Sequence, residues 1–307
     1  MKPPATASLK GALLAFASAL SIMAVYILSR RALTTMTASL MTGWWFLFAF
    51  GWALLAALAQ RKHLARFGRQ LKEHQAFFIA YCLIDAASTF LFFSLLKRMN
   101  PAVLSFFDSL TPLFVALVAA IALGERLRRR EIGGGILALF GVTLLTYASP
   151  DVSPLLGGLA ILSILLYAVG AVLVKRHVPA VDPRLVTGVR IIGLTCIYAA
   201  VALADGSLRL PTASELPSIM AGSLAGPVLG VFFTFSAFRF IPATRVFLIK
   251  TSQPFLVAIA SAMLLGTSLT MRQLAAGVLI SAGITRLIVN PSGNPRRHNS
   301  KEAPAKN

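Results

Sequence analysis

The sequence predicts an all-α polytopic membrane protein, with ten transmembrane helices arranged as two inverted five-helix repeats. Three observations predict it. Apolar residues make up 57% of the 307 positions and charged residues only 13%, against roughly 25% charged in soluble domains. The apolar residues gather in runs near the ~20 residues that a spanning helix needs. A two-span stretch of the first half also recurs in the second.

The runs lie near 11–29, 36–58, 76–96, 101–123, 132–149, 155–174, 185–204, 216–238, 246–265 and 273–290. Lipid offers backbone amides and carbonyls no partners, so continuous apolar runs of this length must be helices. None shows the alternation of barrel strands. The first run has no convincing small-residue cleavage site and further spans follow it, so it is read as a retained helix. Cys82 and Cys196 fall inside apolar runs, away from any metal-ligand spacing, and read as small core residues.

The connections carry the charge. Most of the 29 basic residues share one side if the N-terminus is cytoplasmic. They include Lys2, Lys10, the loops at 61–72 and 125–131, Lys175, Arg176, Arg184, Arg239, Arg245 and the tail. Arg30, Arg31, Lys97, Arg98, Arg209 and Arg272 fall on the other side. Because cytoplasmic loops retain Lys and Arg, both termini are expected in the cytoplasm. The formal charge of +19 is thus a topology signal, and no nucleic-acid partner is expected. The expected location is the inner (plasma) membrane of a bacterial cell, with the lipid bilayer as solvent.

A shift of 142 residues lays TPLFVALVAAIALGERLRRREIGGGILALFGVTLL (111–145) over QPFLVAIASAMLLGTSLTMRQLAAGVLISAGITRL (253–287) without a gap. Pro112 meets Pro254, Gly124 meets Gly266, Gly135 meets Gly277 and Gly141 meets Gly283. Five helices per half put the second copy into the membrane upside down. Residues 1–150 are expected to form the first repeat, 151–290 the second, and 291–307 a basic, disordered cytoplasmic tail. Inverted repeats suit alternating access, because related halves can exchange roles at opposite faces.

The proline-bearing fourth span, the LGE turn at 123–125 and the run GGGILALFGVTLL (133–145) resemble the EamA domain of the drug/metabolite transporter superfamily. The second copy repeats the pattern, so the resemblance covers nearly the whole chain. It implies a monomer or homodimer with a central cavity lined mainly by helices 1–4 and 6–9 and buttressed by helices 5 and 10. Glu125 matches the acidic residue common after the fourth helix of the family, where the second half has Thr267. Arg190 resembles the arginine often found in the second helix of each repeat, where the first half has Trp45.

Ionisable groups inside a bilayer cost a few kcal/mol or more each and usually face a bundle interior or cavity. Asp85 sits mid-span within YCLIDAASTF. It reads either as a protonatable coupling or cation-recognition site or as a neutral acid bridging helices. Asp108 and Lys250 each precede a matching proline, Pro112 or Pro254, by four residues. A proline cannot bond the carbonyl four residues back. Bent helices with free carbonyls at 108 and 250 are therefore expected to frame a site. For Lys250 and Arg190 the competing reading is a snorkelling anchor. Gly222, Gly226 and Gly230 have the spacing of close helix packing.

No HExxH, GxSxG or phosphate-loop pattern is present, so neither an enzyme nor a cofactor is expected, although proton coupling is open. The leading expectation is an exporter or exchanger of small polar metabolites such as amino acids or drugs. A carrier of phosphorylated anions is the alternative within transport, since IKTSQPF (249–255) resembles the lysine–proline segment of phosphate-translocating relatives. A membrane structural or assembly protein without flux is the alternative outside it.

Overall fold

A computed structural model describes residues 5–58, 64–125, 129–177 and 183–289, and its regular structure there is helical throughout. The elements are α1 (Ala5–Ala32), α2 (Ala38–Leu58), α3 (Leu64–Glu73), α4 (Gln75–Arg98), α5 (Pro101–Asp108), α6 (Thr111–Leu123), α7 (Arg129–Ala148), α8 (Pro154–His177), α9 (Pro183–Ala204), α10 (Leu216–Ser223), a π-helical turn (Leu224–Gly230), α11 (Val231–Phe238), α12 (Ala243–Lys250), α13 (Gln253–Leu265) and α14 (Met271–Ile288). Among the described residues ten stretches are long and apolar enough to cross a membrane. The tail at 291–307 and Arg126 and Arg128 lie outside the described residues.

Two features, the helix within 61–72 and the π turn of the eighth span, differ from the sequence expectation, and the bends expected at the two prolines are full breaks. The 61–72 segment, expected as a loop, holds the short helix α3, because Leu64, Phe67 and Leu71 recur at helical spacing among basic residues. The fourth and ninth spans are each two helices. The eighth carries a π turn around Pro227, since a proline cannot donate in the helical ladder and the extra residue re-routes it.

The repeat is visible in the backbone. Thr111–Leu123 and Gln253–Leu265 both begin beside their proline and both end at a left-handed glycine, Gly124 (φ 69°) and Gly266 (φ 67°). Positive φ costs glycine nothing. It lets the next amides turn back: Glu125 N–H donates to the Ala119 carbonyl and Thr267 N–H to that of Ser261, closing each helix as a Schellman-type cap.

Helices α7 and α14 pack antiparallel at backbone contact. A Cβ on Gly134 would lie 2.7 Å from the Gly283 carbonyl oxygen, and one on Gly283 would lie 2.6 Å from that of Gly134. Gly141 likewise abuts Ile280 and Ala276. Without a hydrophobic drive between helices in lipid, such close approach of small residues supplies the association. Large apolar side chains such as Ile121, Tyr147 and Met271 project outward more than 80% exposed, as a lipid-facing surface requires.

Candidate functional site

Both repeats contribute to one central cavity of ≈ 780 Å³. Its wall includes Tyr26 of α1, Trp45 and Phe46 of α2, Asp108 of α5, Tyr167 of α8, Arg190 of α9 and Lys250 of α12, and α14 adds Ile284 and Ile288. Ligand sites of this size are mostly apolar with a few placed polar groups, which describes this wall.

Asp85 and Arg190, weighed separately in the sequence, are partners. Arg190 Nε donates to Asp85 Oδ2 at 2.7 Å, and the Asp85 side chain is 4% exposed. The guanidinium also lies over the Phe46 ring, 5.4 Å from its centroid. Arg190 is therefore not a snorkelling anchor, and Asp85 is not an isolated acid. The pair cancels its own charge, because a buried carboxylate beside a guanidinium is compensated where it stands. Arg190 lines the cavity, whereas Asp85 lies behind it.

Asp108 occupies the last position of α5, and the Tyr26 hydroxyl donates to its Oδ2. The expected free carbonyl is not free: the Thr111 hydroxyl donates to the Asp108 carbonyl at 2.7 Å. Thr111 thus supplies the hydrogen bond that Pro112 cannot. At the matching break Lys250 ends α12 and donates from Nζ to Thr234 Oγ1 at 3.2 Å. Thr234 and Ser18 both donate to the Gly230 carbonyl, at 2.8 and 3.0 Å. That carbonyl ends the π turn.

The glycine triplet receives side chains from the first repeat. A Cβ on Gly222 would lie 2.4 Å from the Trp45 ring, and one on Gly226 would lie 3.0 Å from Val25. Gly230 faces Ile22 at 3.1 Å. The glycines thus form the slot that seats the indole at the cavity wall, where it also meets Phe93 edge-on at 5.6 Å.

One end of the bundle is tied shut. Arg209 grips Glu215 through two nitrogens at 2.6 and 2.8 Å, and Thr35 donates to the same carboxylate at 2.6 Å. Lys97 donates to the Met36 carbonyl at 2.8 Å and Arg30 to that of Leu96 at 2.6 Å. Below these bonds Leu33, Met36, Leu40 and Met99 are buried. The Arg209 hydrogen bonds hold the Glu215 carboxyl well below the usual carboxylate range. At the other end the cavity reaches Glu125 and Lys175. Their 2.6 Å bridge is about half exposed on each side, a pairing worth ~1 kcal/mol or less.

Sequence reasoning missed Tyr26, Tyr167, Thr234, Arg209 and Glu215 as site residues. Glu215 had a usable signal, as an acid directly before an apolar run that opens Leu216–Pro217. The two tyrosines and Thr234 are ordinary span residues whose facing only the packing reveals.

Comparison with known proteins completes the picture. The profile of the EamA-like transporter family matches residues 9–147 and again 157–289. Among solved structures, one crystal structure superposes with a TM-score of 0.65 at 21% identity, covering 90% of this chain and 95% of the other. That likeness is one of fold. No curated protein sequence matches.

Proposed function

The chain belongs to the EamA-like transporter family and is a multi-pass membrane transporter; from that premise we propose that it exports or exchanges small polar metabolites, such as amino acids or drugs, by alternating access. The observation that carries this reading is the asymmetry of the bundle. Among the described residues the cavity lined by both repeats reaches Glu125 and Lys175 at one end, while Thr35, Arg209 and Glu215, bonded as a latch at the other, are not part of its wall. Inverted repeats permit the reverse arrangement, with the latch broken and the opposite mouth closed. In this reading the open mouth and both termini are cytoplasmic and the latch lies outside, an orientation supported by the bias of Lys and Arg to one side, and the membrane is the inner membrane of a bacterial cell.

The phosphorylated-anion alternative loses its main support. An anion carrier of that kind needs Arg190 and Lys250 together, and the charge of Arg190 is already matched by Asp85. What remains toward the cavity, beside the Glu125–Lys175 pair at its mouth, is Asp108 with Tyr26, and Lys250 with Thr234.

A thermal-shift screen of the purified protein against amino acids, polyamines, nucleosides and sugar phosphates tests this, because a ligand bound only by the folded state raises the melting temperature by mass action. Hits are then loaded into proteoliposomes. Stabilisation followed by saturable flux is the expected result. Stabilisation without flux, for every hit, would return the chain to a structural or assembly role.

A further inference from the structure

Among the described residues Asp85 and Asp108 are the carboxylates deep within the spans, and their surroundings differ. Asp85 is matched by Arg190. Asp108 lines the cavity with the neutral hydroxyl of Tyr26 as its side-chain partner. It forms no ion pair among the described residues.

The elements packed against α5 are α1, α4, α7, α8, α13 and α14. Helix α1 brings Tyr26, with Lys10, Arg30 and Arg31 toward its ends, and α8 brings Tyr167, with Lys175, Arg176 and His177 in its last turn; Tyr26, Tyr167 and Lys175 line the cavity, and Lys175 is paired with Glu125. Helix α13 carries no titratable residue. On α4 the charges are Asp85, already paired, and Lys97 and Arg98 in the last turn; its Tyr81 and Cys82 are uncharged at neutral pH. The described charges of α7 are Arg129, Arg130 and Glu131 at its start, with Tyr147 near its end, and those of α14 are Arg272 and Arg286 near its two ends. Lys250 lines the same cavity but donates to Thr234.

Helix polarity sharpens the contrast. Asp108 ends α5, where the carbonyl end of a helix favours positive charge over negative. Lys250, at the matching position of the second repeat, ends α12, where that field suits an ammonium. A carboxylate placed at a helix C-terminus, facing a cavity walled by Tyr26, Trp45, Phe92 and Tyr167, is short of a cation. Aromatic faces attract cations as well.

Resting on the transport reading above, we infer that Asp108 and Tyr26 form a cation subsite of the cavity, occupied in turn by an ammonium group of the substrate and by a proton. Either one neutralises the same carboxylate, so each excludes the other. A proton taken from water at one mouth and released at the other then drives an amine in the opposite direction. The shared chemistry is one positive charge at Asp108, and the experiment reads the two sources separately.

The test uses the full-length protein in nanodiscs with three probes that share an aryl body: phenethylamine, phenylalanine and phenylpropionate. Thermal shift and tryptophan fluorescence report binding across a pH series. Infrared difference spectra between acid and neutral pH report the band of a protonated carboxyl group. Probes that carry an ammonium group are expected to bind and to weaken as the pH falls. Asp108→Asn is expected to weaken them by about tenfold or more, to flatten their pH response and to remove the infrared band. Tyr26→Phe keeps the carboxyl and is expected to keep the band, which separates loss of the site from loss of the fold. An Asp108-dependent band without amine binding, or amine binding without the band, would leave one occupant alone and overturn the exchange of the two. The inference is overturned if neither signal is present in wild type, or if folded Asp108→Asn retains both. Asp108-dependent binding with no flux of any probe in proteoliposomes would remove the transport reading and leave the cation site standing.

Discussion

Asp85 stands out in the sequence as an acid too deep in its span to reach water, yet the sequence does not show what it does there. Its partner Arg190 is 105 residues away, and hydropathy cannot pair them. The spans are apolar on every side, so their rotation about their own axes leaves no periodic trace. The consequence is measurable. Asp85→Asn leaves the Arg190 guanidinium without its counter-charge, and about 2–4 kcal/mol of stability is expected to go with it. Pairing it with Arg190→Gln removes the stranded charge and should recover part of the loss. Thermal unfolding of the four proteins of this cycle checks the point. A double variant that loses as much as the two single variants added together would show that the two side chains are not coupled. Trp45 makes the complementary case. It was legible as the residue standing where the family has an arginine, but not as the ring seated on Gly222 and Gly226.

At the scale of the elements the sequence was most informative where backbone chemistry dominates. The repeated proline, the repeated glycine cap and the glycine run of the fifth span all act through the main chain, so spacing alone exposes them. Side-chain compensation was not legible: Thr111 satisfies the carbonyl that Pro112 leaves unbonded. Pro112→Ala alone therefore supplies an amide that must compete with an existing hydroxyl bond, and little straightening is expected. Thr111→Val together with Pro112→Ala removes the competitor and should restore a continuous helix through residue 110, with a larger loss of transport than either single change. Full transport by the double variant would separate the break from function. The glycines allow a sharper comparison. A Cβ at Gly283 would meet Ala138 N at 2.5 Å, against backbone that cannot swing aside, while one at Gly158 meets nothing within 4 Å. Gly283→Ala should force α7 and α14 apart and cost about 1–3 kcal/mol. Gly158→Ala should be close to neutral. Matching melting curves for the two variants would contradict the backbone contact seen here.

For the whole molecule, the inverted arrangement was read from the 142-residue shift and from an odd number of helices per half, whereas which end is closed required coordinates. The closed end is built from groups that both repeats contribute, the Thr35 hydroxyl and carbonyl from one and the Arg209 and Glu215 side chains from the other. Such bonds leave no mark in hydropathy. Sidedness comes first: with Cys82 and Cys196 replaced, an impermeant maleimide applied outside should label a cysteine at position 151, which is exposed, or 207 and spare one at 68, whereas Val152 is too buried to serve. Gate control follows from it. Met36 lies beneath the latch and is 1% exposed, so Met36→Cys in the same background should react slowly. Glu215→Gln keeps the shape of the side chain but removes the charge that holds Arg209, and labelling at position 36 should rise several-fold. The pH dependence has a definite sign. The Glu215 carboxyl titrates below its ordinary range because Arg209 and Thr35 stabilise its charged form. The latch therefore contributes fully above the usual carboxylate value near ~4.3 and is lost only as pH falls through the depressed value. Wild-type labelling should stay slow from neutral pH into mild acid, and Glu215→Gln should be fast across that whole window. A wild-type rate that climbs between neutral pH and pH ~5 would assign closure to some other group. A Glu215→Gln rate no faster than wild type would show that the Arg209–Glu215 grip fastens one loop without guarding the cavity.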